Sequence, residues 1–152
     1  MATWYIAGQI NKMNDVQLAQ QKIIDEFAFF DTWIDRYQYL IDLGRRLQAL
    51  DESELSEANR IRGCQSQVWM VAESDGDILH FRAISDAAIV SGLIAILLRI
   101  YSGKKPADIA STPPDFVSAL QLEAHLSPTR SNGLAAMLKA IHQHAADALQ
   151  AT

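Results

Sequence analysis

The chain carries one cysteine, Cys64, so it can form no internal disulfide and must hold its fold by burial. It also lacks an apolar run of membrane-spanning length. The most apolar stretch, IVSGLIAILLRI at 89–100, spans a dozen residues and includes Arg99, whereas a crossing needs about 20. It is expected to be a buried core helix. Basic blocks are missing too: the formal charge is −5 and the Lys and Arg residues are scattered, which removes the electrostatic footprint of a nucleic-acid binder. The seven glycines do not cluster, so phosphate-loop and dinucleotide fingerprints are absent, and no Gly-x-Ser-x-Gly elbow occurs. None of the four histidines, His80, His125, His142 and His144, forms an i, i+4 pair with another. His142 and His144 would point to different faces of a helix, so neither a metal site nor a resident cofactor is expected. Residues 1–12 lack the basic start and apolar run of a secretory signal, so a cytoplasmic location is expected.

What is present describes one folded domain over 1–152. Hydrophobic residues make up 49% and charged residues 20% of the chain, and a chain of 152 residues buries roughly 70% of its unfolded surface. Residues 14–30 carry an imperfect helical stripe at Val16, Leu18, Ile23, Ile24 and Phe27. Asp31 or Thr32 can cap a second helix with Trp33, Tyr37, Leu40, Ile41 and Leu47 at helical spacing, and Gly44 in its last turns permits close packing. The acidic stretch Asp51, Glu52, Glu54 and Glu57 reads as a solvated loop or short helix, or else as a docking patch for a basic partner.

The period then changes. Residues 68–72 and 78–83 flank Ser74-Asp75-Gly76-Asp77 and predict two antiparallel strands around a turn. Ser85 is placed to cap a central helix, with Asp86 in its first turn and Gly103 beyond its end. Pro106, Pro113 and Pro114 divide the next segment into short helical turns. Ser127-Pro128 opens a final helix to about Gln150, with Leu134, Met137, Leu138 and Ile141 on its buried face. The expected class is α+β: a small, about three-stranded antiparallel sheet with helices on one face.

Cys64 stands out by its setting. It follows Gly63, precedes Gln65-Ser66-Gln67 and sits at the entrance to an apolar strand, which places it in a loop. Were 60–64 extended, Arg60, Arg62 and Cys64 would share a face and the cations would favour thiolate. A thiol of pKa ~8.5 is about 3% thiolate at neutral pH, against about half at a pKa near 7. On composition alone, a lone cysteine is more often a small buried hydrophobe.

Four blocks carry a resemblance: Trp33-x-x-Arg36-Tyr37 with Leu40-Ile41-x-Leu43-Gly44; Gly63-Cys64-Gln65-Ser66-Gln67-Val68-Trp69; Ser85-Asp86-Ala87-Ala88-Ile89-Val90-x-Gly92-Leu93; and His125-Leu126-Ser127-Pro128-x-Arg130-Ser131-x-Gly133-Leu134. In this order, over residues 33–146, they resemble the SufE/CsdE family of sulfur acceptors. Arg60 and Arg62 lie outside that pattern. The resemblance implies a fold shared with iron–sulfur scaffolds, although a scaffold needs several cysteines and this chain has one. It implies that Cys64 accepts persulfide sulfur from a cysteine desulfurase, stimulates that enzyme, and delivers the sulfur to a scaffold or other acceptor. Pyridoxal phosphate belongs to the desulfurase. It also implies a shielded thiol, which Gly63 permits by letting Cys64 tuck near Val68 and Trp69 at rest and swing out when docked. Gly63, Gln65 and Ser66 are expected to form the site with Cys64. Arg130 matches the last block, and with the neighbouring Asn132 it is expected near the Cys64 loop, either for docking or merely to organise the last helix. The alternatives are a thiol enzyme acting directly on a small substrate through Cys64, and a binding module in which Cys64 is inert; monomer and homodimer both remain open.

Overall fold

The computed structural model describes residues 12–151. Seven α-helices and one hairpin appear among them: α1 (Asp15–Phe27), α2 (Trp33–Gly44), β1 (Val68–Asp75), β2 (Ile78–Ser85), α3 (Ala88–Tyr101), α4 (Pro106–Ser111), α5 (Asp115–Ala119), α6 (Leu122–His125) and α7 (Pro128–Gln150). Two short 3-10 turns, Glu52–Glu54 and Glu57–Asn59, join α2 to β1. The expected α+β class is present, with helices packed on the buried face of an antiparallel hairpin.

Local chemistry sets the helix starts. Asn14 accepts from Gln17 N–H while the Gln17 side chain reaches back to Asn14 N–H, a reciprocal cap for α1. Thr32 accepts from Asp35 N–H and Ser127 from Arg130 N–H, starting α2 and α7. The centre of the domain is α3, in which Leu93, Ile94, Ile96, Leu97 and Ile100 are all buried. It begins at Ala88, later than the Ser85 cap predicts, because Ser85 is the last residue of β2 and Ser85 Oγ accepts only from Ala87 N–H. Asp86 is likewise outside the helix.

The hairpin pairs Val68 with Ser85 through Asp75 with Ile78 around a two-residue turn at Gly76, whose φ of 65° suits glycine. Val68, Met70, Leu79, Phe81 and Ala83 form its buried face. About three strands were expected, but the described residues form two. Each outer edge gains one isolated bridge, Arg60 to Trp69 and Leu79 to Lys104. Neither extends into a strand, because Gly63 (φ 90°) and Gly103 (φ 77°) turn the chain close by. The acidic stretch is mostly exposed, with Asp51, Glu52 and Glu57 in solvent. Its Glu54 is tied to the sheet by Arg82, which reaches its two carboxylate oxygens at 3.0 and 2.5 Å and also binds Glu73 at 2.7 Å.

Two glycines bring α2 and α3 together. A Cβ on Gly92 would lie 2.6 Å from the Leu40 carbonyl carbon, and one on Gly44 would lie 2.7 Å from the Gly92 nitrogen. Both clashes are with backbone, so no side-chain rotation relieves them. Gly92→Ala is therefore expected to lose about 3 kcal/mol or more of unfolding free energy despite alanine's better helix propensity. Denaturant titration checks this; a variant as stable as the parent would contradict the close crossing.

Candidate functional site

Cys64 sits on a loop held at both ends. At its start Ile61 N–H donates to the Val68 carbonyl at 2.9 Å. At its end Gln67 N–H donates to Asp86 Oδ1 at 3.0 Å, and Asp86 N–H returns a bond to the Gln67 carbonyl at 3.3 Å. The Asp86 carboxylate thus belongs to the loop rather than to the first turn of α3. Gly63, with its φ of 90°, turns the chain so that Cys64 faces inward; a Cβ there would lie 3.3 Å from the Ala136 methyl on α7.

The thiol is half-buried and rests on α7, where Cys64 Sγ donates to the Gly133 carbonyl at 3.6 Å. Around it is a cavity of about 20 Å³, room for about one water-sized guest. Gln65 and Ser66 line it from the loop, Thr129, Arg130, Gly133, Leu134 and Met137 from α7, and Val90 from α3. The expected seat near Val68 and Trp69 is therefore replaced by one against α7 and the first turn of α3. Val68 is instead wholly buried in the sheet.

The expected effect of the arginines on the thiol is absent. Residues 62–63 form a turn, so the chain is not extended from 60 to 64 and its alternation is broken. Arg62 reaches Glu57 at 2.9 Å and Arg60 reaches it at 3.6 Å. Burial pushes the Cys64 thiol above its ordinary pKa, and a carbonyl accepting the S–H bond further favours the neutral form. At rest the group is a protected thiol.

Of the residues singled out from sequence, Cys64, Gln65, Ser66 and Arg130 meet at this cavity, and Gly63 makes the adjoining turn. Asn132 does not line it and is exposed on α7. Sequence reasoning passed over Gly133, Met137, Val90 and Asp86 as parts of the site. A glycine inside a helix was the available signal for Gly133, since it commonly marks close approach by another chain segment. The Trp33, Arg36 and Tyr37 block acts at one remove. The Tyr37 hydroxyl donates to the His125 carbonyl, and Trp33 stacks on the His125 ring with centroids 3.9 Å apart. The Arg36 guanidinium lies over Trp33, 5.1 Å from the ring centroid. These contacts tie α2 to the residues just before α7, whose first three turns form the cavity wall.

The family model described as "Fe-S metabolism associated domain", named SufE, matches residues 21–145. A SufE-like protein of Rhizobium etli is 45% identical over 129 residues, covering 82% of this chain and 87% of its own length. Another from Rhizobium meliloti is 43% identical over 135 residues, covering 86% and 96%. A hypothetical protein from Thermus thermophilus, solved in solution, superposes with a TM-score of 0.73 at 20% identity over 91% of this chain and 98% of that one. That last likeness is one of fold alone.

The thiol's surroundings have a measurable consequence. Because burial disfavours the thiolate, alkylation of Cys64 by a small neutral reagent is expected to be slow at neutral pH and to rise with a midpoint above the ordinary ~8.5. Asp86→Ala releases the end of the loop, and is expected to speed alkylation and move the midpoint down. A wild-type midpoint at or below ~8.5, or an unchanged profile in Asp86→Ala, would contradict this account.

Proposed function

The chain belongs to the SufE family, and from that premise we propose that Cys64 is a sulfur-carrying thiol, loaded by a pyridoxal-phosphate cysteine desulfurase and unloaded for iron–sulfur cluster assembly. The observation that carries this reading is a half-buried thiol on a tethered loop, seated in a cavity with room for about one further small atom.

In the loading step the Cys64 thiolate attacks the terminal sulfur of a persulfide on the desulfurase. A new S–S bond forms at Cys64, the donor's S–S bond breaks, and the desulfurase cysteine departs as thiolate. The carrier's proton is lost before attack and the donor thiolate is available to take one up, so no external oxidant or reductant is needed. Delivery repeats the exchange with an acceptor. The resting geometry opposes premature reaction, since a neutral thiol backed by α7 is a poor nucleophile and a poor target for oxidants. Docking must draw the loop off Gly133, and its anchors at Ile61 and Gln67 limit how far it travels.

Arg130 supports the reading from the opposite wall. It lines the cavity mouth, is exposed to solvent and makes no ion pair among the described residues, so its charge suits an approaching persulfide anion or an acidic rim on the desulfurase. A thiol enzyme acting alone would want a general base here. The polar side chains lining the cavity, Gln65, Ser66, Thr129 and Arg130, include none that serves near neutral pH.

Cys64→Ser is expected to fold and to bind the desulfurase yet leave its turnover unaccelerated, because a hydroxyl is almost never ionised near neutral pH. Arg130→Ala keeps the backbone N–H that Ser127 caps, so its melting temperature should stay within a few degrees of wild type while stimulation of the desulfurase falls roughly tenfold. Equal losses of stability and stimulation would reduce Arg130 to a structural residue. Full stimulation by Cys64→Ser would remove the thiol from the reaction.

A further inference from the structure

The hairpin leaves an unfinished edge beside the thiol. Phe81 N–H bonds Ser102 Oγ and Leu79 N–H bonds the Lys104 carbonyl, so the odd-numbered residues of β2 direct their backbone groups away from β1. By the register of the pair, Met70, Ala72 and Ser74 direct theirs away from β2. The bridge from Arg60 to Trp69 covers the first part of this edge. Beyond it, the Met70 carbonyl, both backbone groups of Ala72 and the Ser74 N–H have no hydrogen-bond partner among the described residues.

The 70–72 part of this edge opens into a groove of about 650 Å³ between β1 and α7, which runs to Gly63 beside the thiol; Ser74 continues the edge just beyond it. Its α7 wall combines the small side chains of Ala136 and Ala140 with the longer Lys139, Gln143, His144 and Asp147. Its cations are Arg60, Arg62 and Lys139; its carboxylate is Asp147. Glu57 is shared between the two arginines, and Lys139 has no ion pair among the described residues. The groove is thus locally positive on a chain of net charge −5. An unpaired edge is a template for another strand unless it is blunted or covered, and this one is flanked by attraction for negative charge.

We propose that the groove receives an extended, acidic segment of the desulfurase, which adds to β1 as a third strand. This rests on the carrier reading above and names where the donor is gripped. Backbone bonds to Ala72 and Ser74 supply the hold, Arg60, Arg62 and Lys139 select for acidic side chains, and the added strand ends next to the Gly63 turn that bears Cys64. Because the backbone hold falls on β1, outside the 61–67 loop, Cys64 stays free to move.

Amide hydrogen exchange on the full-length protein, alone and mixed with the desulfurase of its own cell, tests this at single residues. The Ala72 and Ser74 amides are expected to exchange at least about tenfold more slowly in the complex; a complex in which both exchange at the free rate overturns the proposal. Ala72→Pro removes an N–H that the β1–β2 ladder does not use, so the hairpin can tolerate it, and it should weaken desulfurase binding about tenfold or more. Should that variant fail to fold, the pair Arg62→Glu with Lys139→Glu provides the same decision: wild-type affinity overturns the proposal. If Ala72→Pro instead dissolves a homodimer and leaves desulfurase binding intact, the edge belongs to a second copy and the proposal is overturned. A wild-type protein that is loaded with sulfur while these variants bind normally sinks the groove alone, whereas one that is never loaded sinks the carrier reading and the groove with it.

Discussion

The close crossing of α2 and α3 at Gly44 and Gly92 fixes both walls around the thiol. With no Cβ at either position, the backbones approach within reach of each other's carbonyls, and α3 is held with Val90 turned to the thiol cavity. The same contact places α2, whose Tyr37 and Trp33 then pin His125 just ahead of α7. Thus the helix that supplies Arg130, Gly133 and Met137 to the cavity is located by packing that begins on the far side of α3. Buried Gln20 reinforces the arrangement from α1: it donates to the Pro113 carbonyl at 3.0 Å and accepts from Phe116 N–H at 2.9 Å, satisfying the prolyl turn that starts α5.

The site balances protection against reactivity. A thiol poised as thiolate in solvent would react with oxidants and other thiols, and a persulfide there would be lost. Burial against Gly133 makes the resting group neutral, and the loop anchors confine the motion needed to expose it. Under the carrier reading proposed above, the cost of leaving that seat comes from the partner's binding energy. Activation is then coupled to docking, and a raised, rather than a lowered, thiol pKa serves the carrier while it is alone.

The elements that were legible in the sequence are those dictated by local periodicity. The stripes of α1 and α2, the apolar run of α3, the Gly76 turn and the Ser127-Pro128 start of α7 depend on neighbours within a few residues. Cys64's position in a loop followed from Gly63 and the polar residues after it. What was not legible depends on contacts distant in sequence. Ser85 and Asp86 carry a good helix-start signal, yet pairing with Val68 keeps Ser85 in the strand and Gln67 claims the Asp86 carboxylate. Arg60 and Arg62 looked like thiol activators because alternation along an extended chain was assumed, whereas Glu57, a few residues upstream, takes both guanidiniums. The seat of the thiol on Gly133 joins residues 69 apart, and no local pattern encodes it.

The central claim, that Cys64 carries sulfur received from another protein's persulfide, is most directly tested by the mass of the intact protein after mixing with the desulfurase of its own cell and free cysteine. The account predicts one added sulfur atom on the wild type, removed by a thiol reductant, and none on Cys64→Ser. Sulfur that still loads onto Cys64→Ser, or a wild-type protein whose mass never changes, would contradict it.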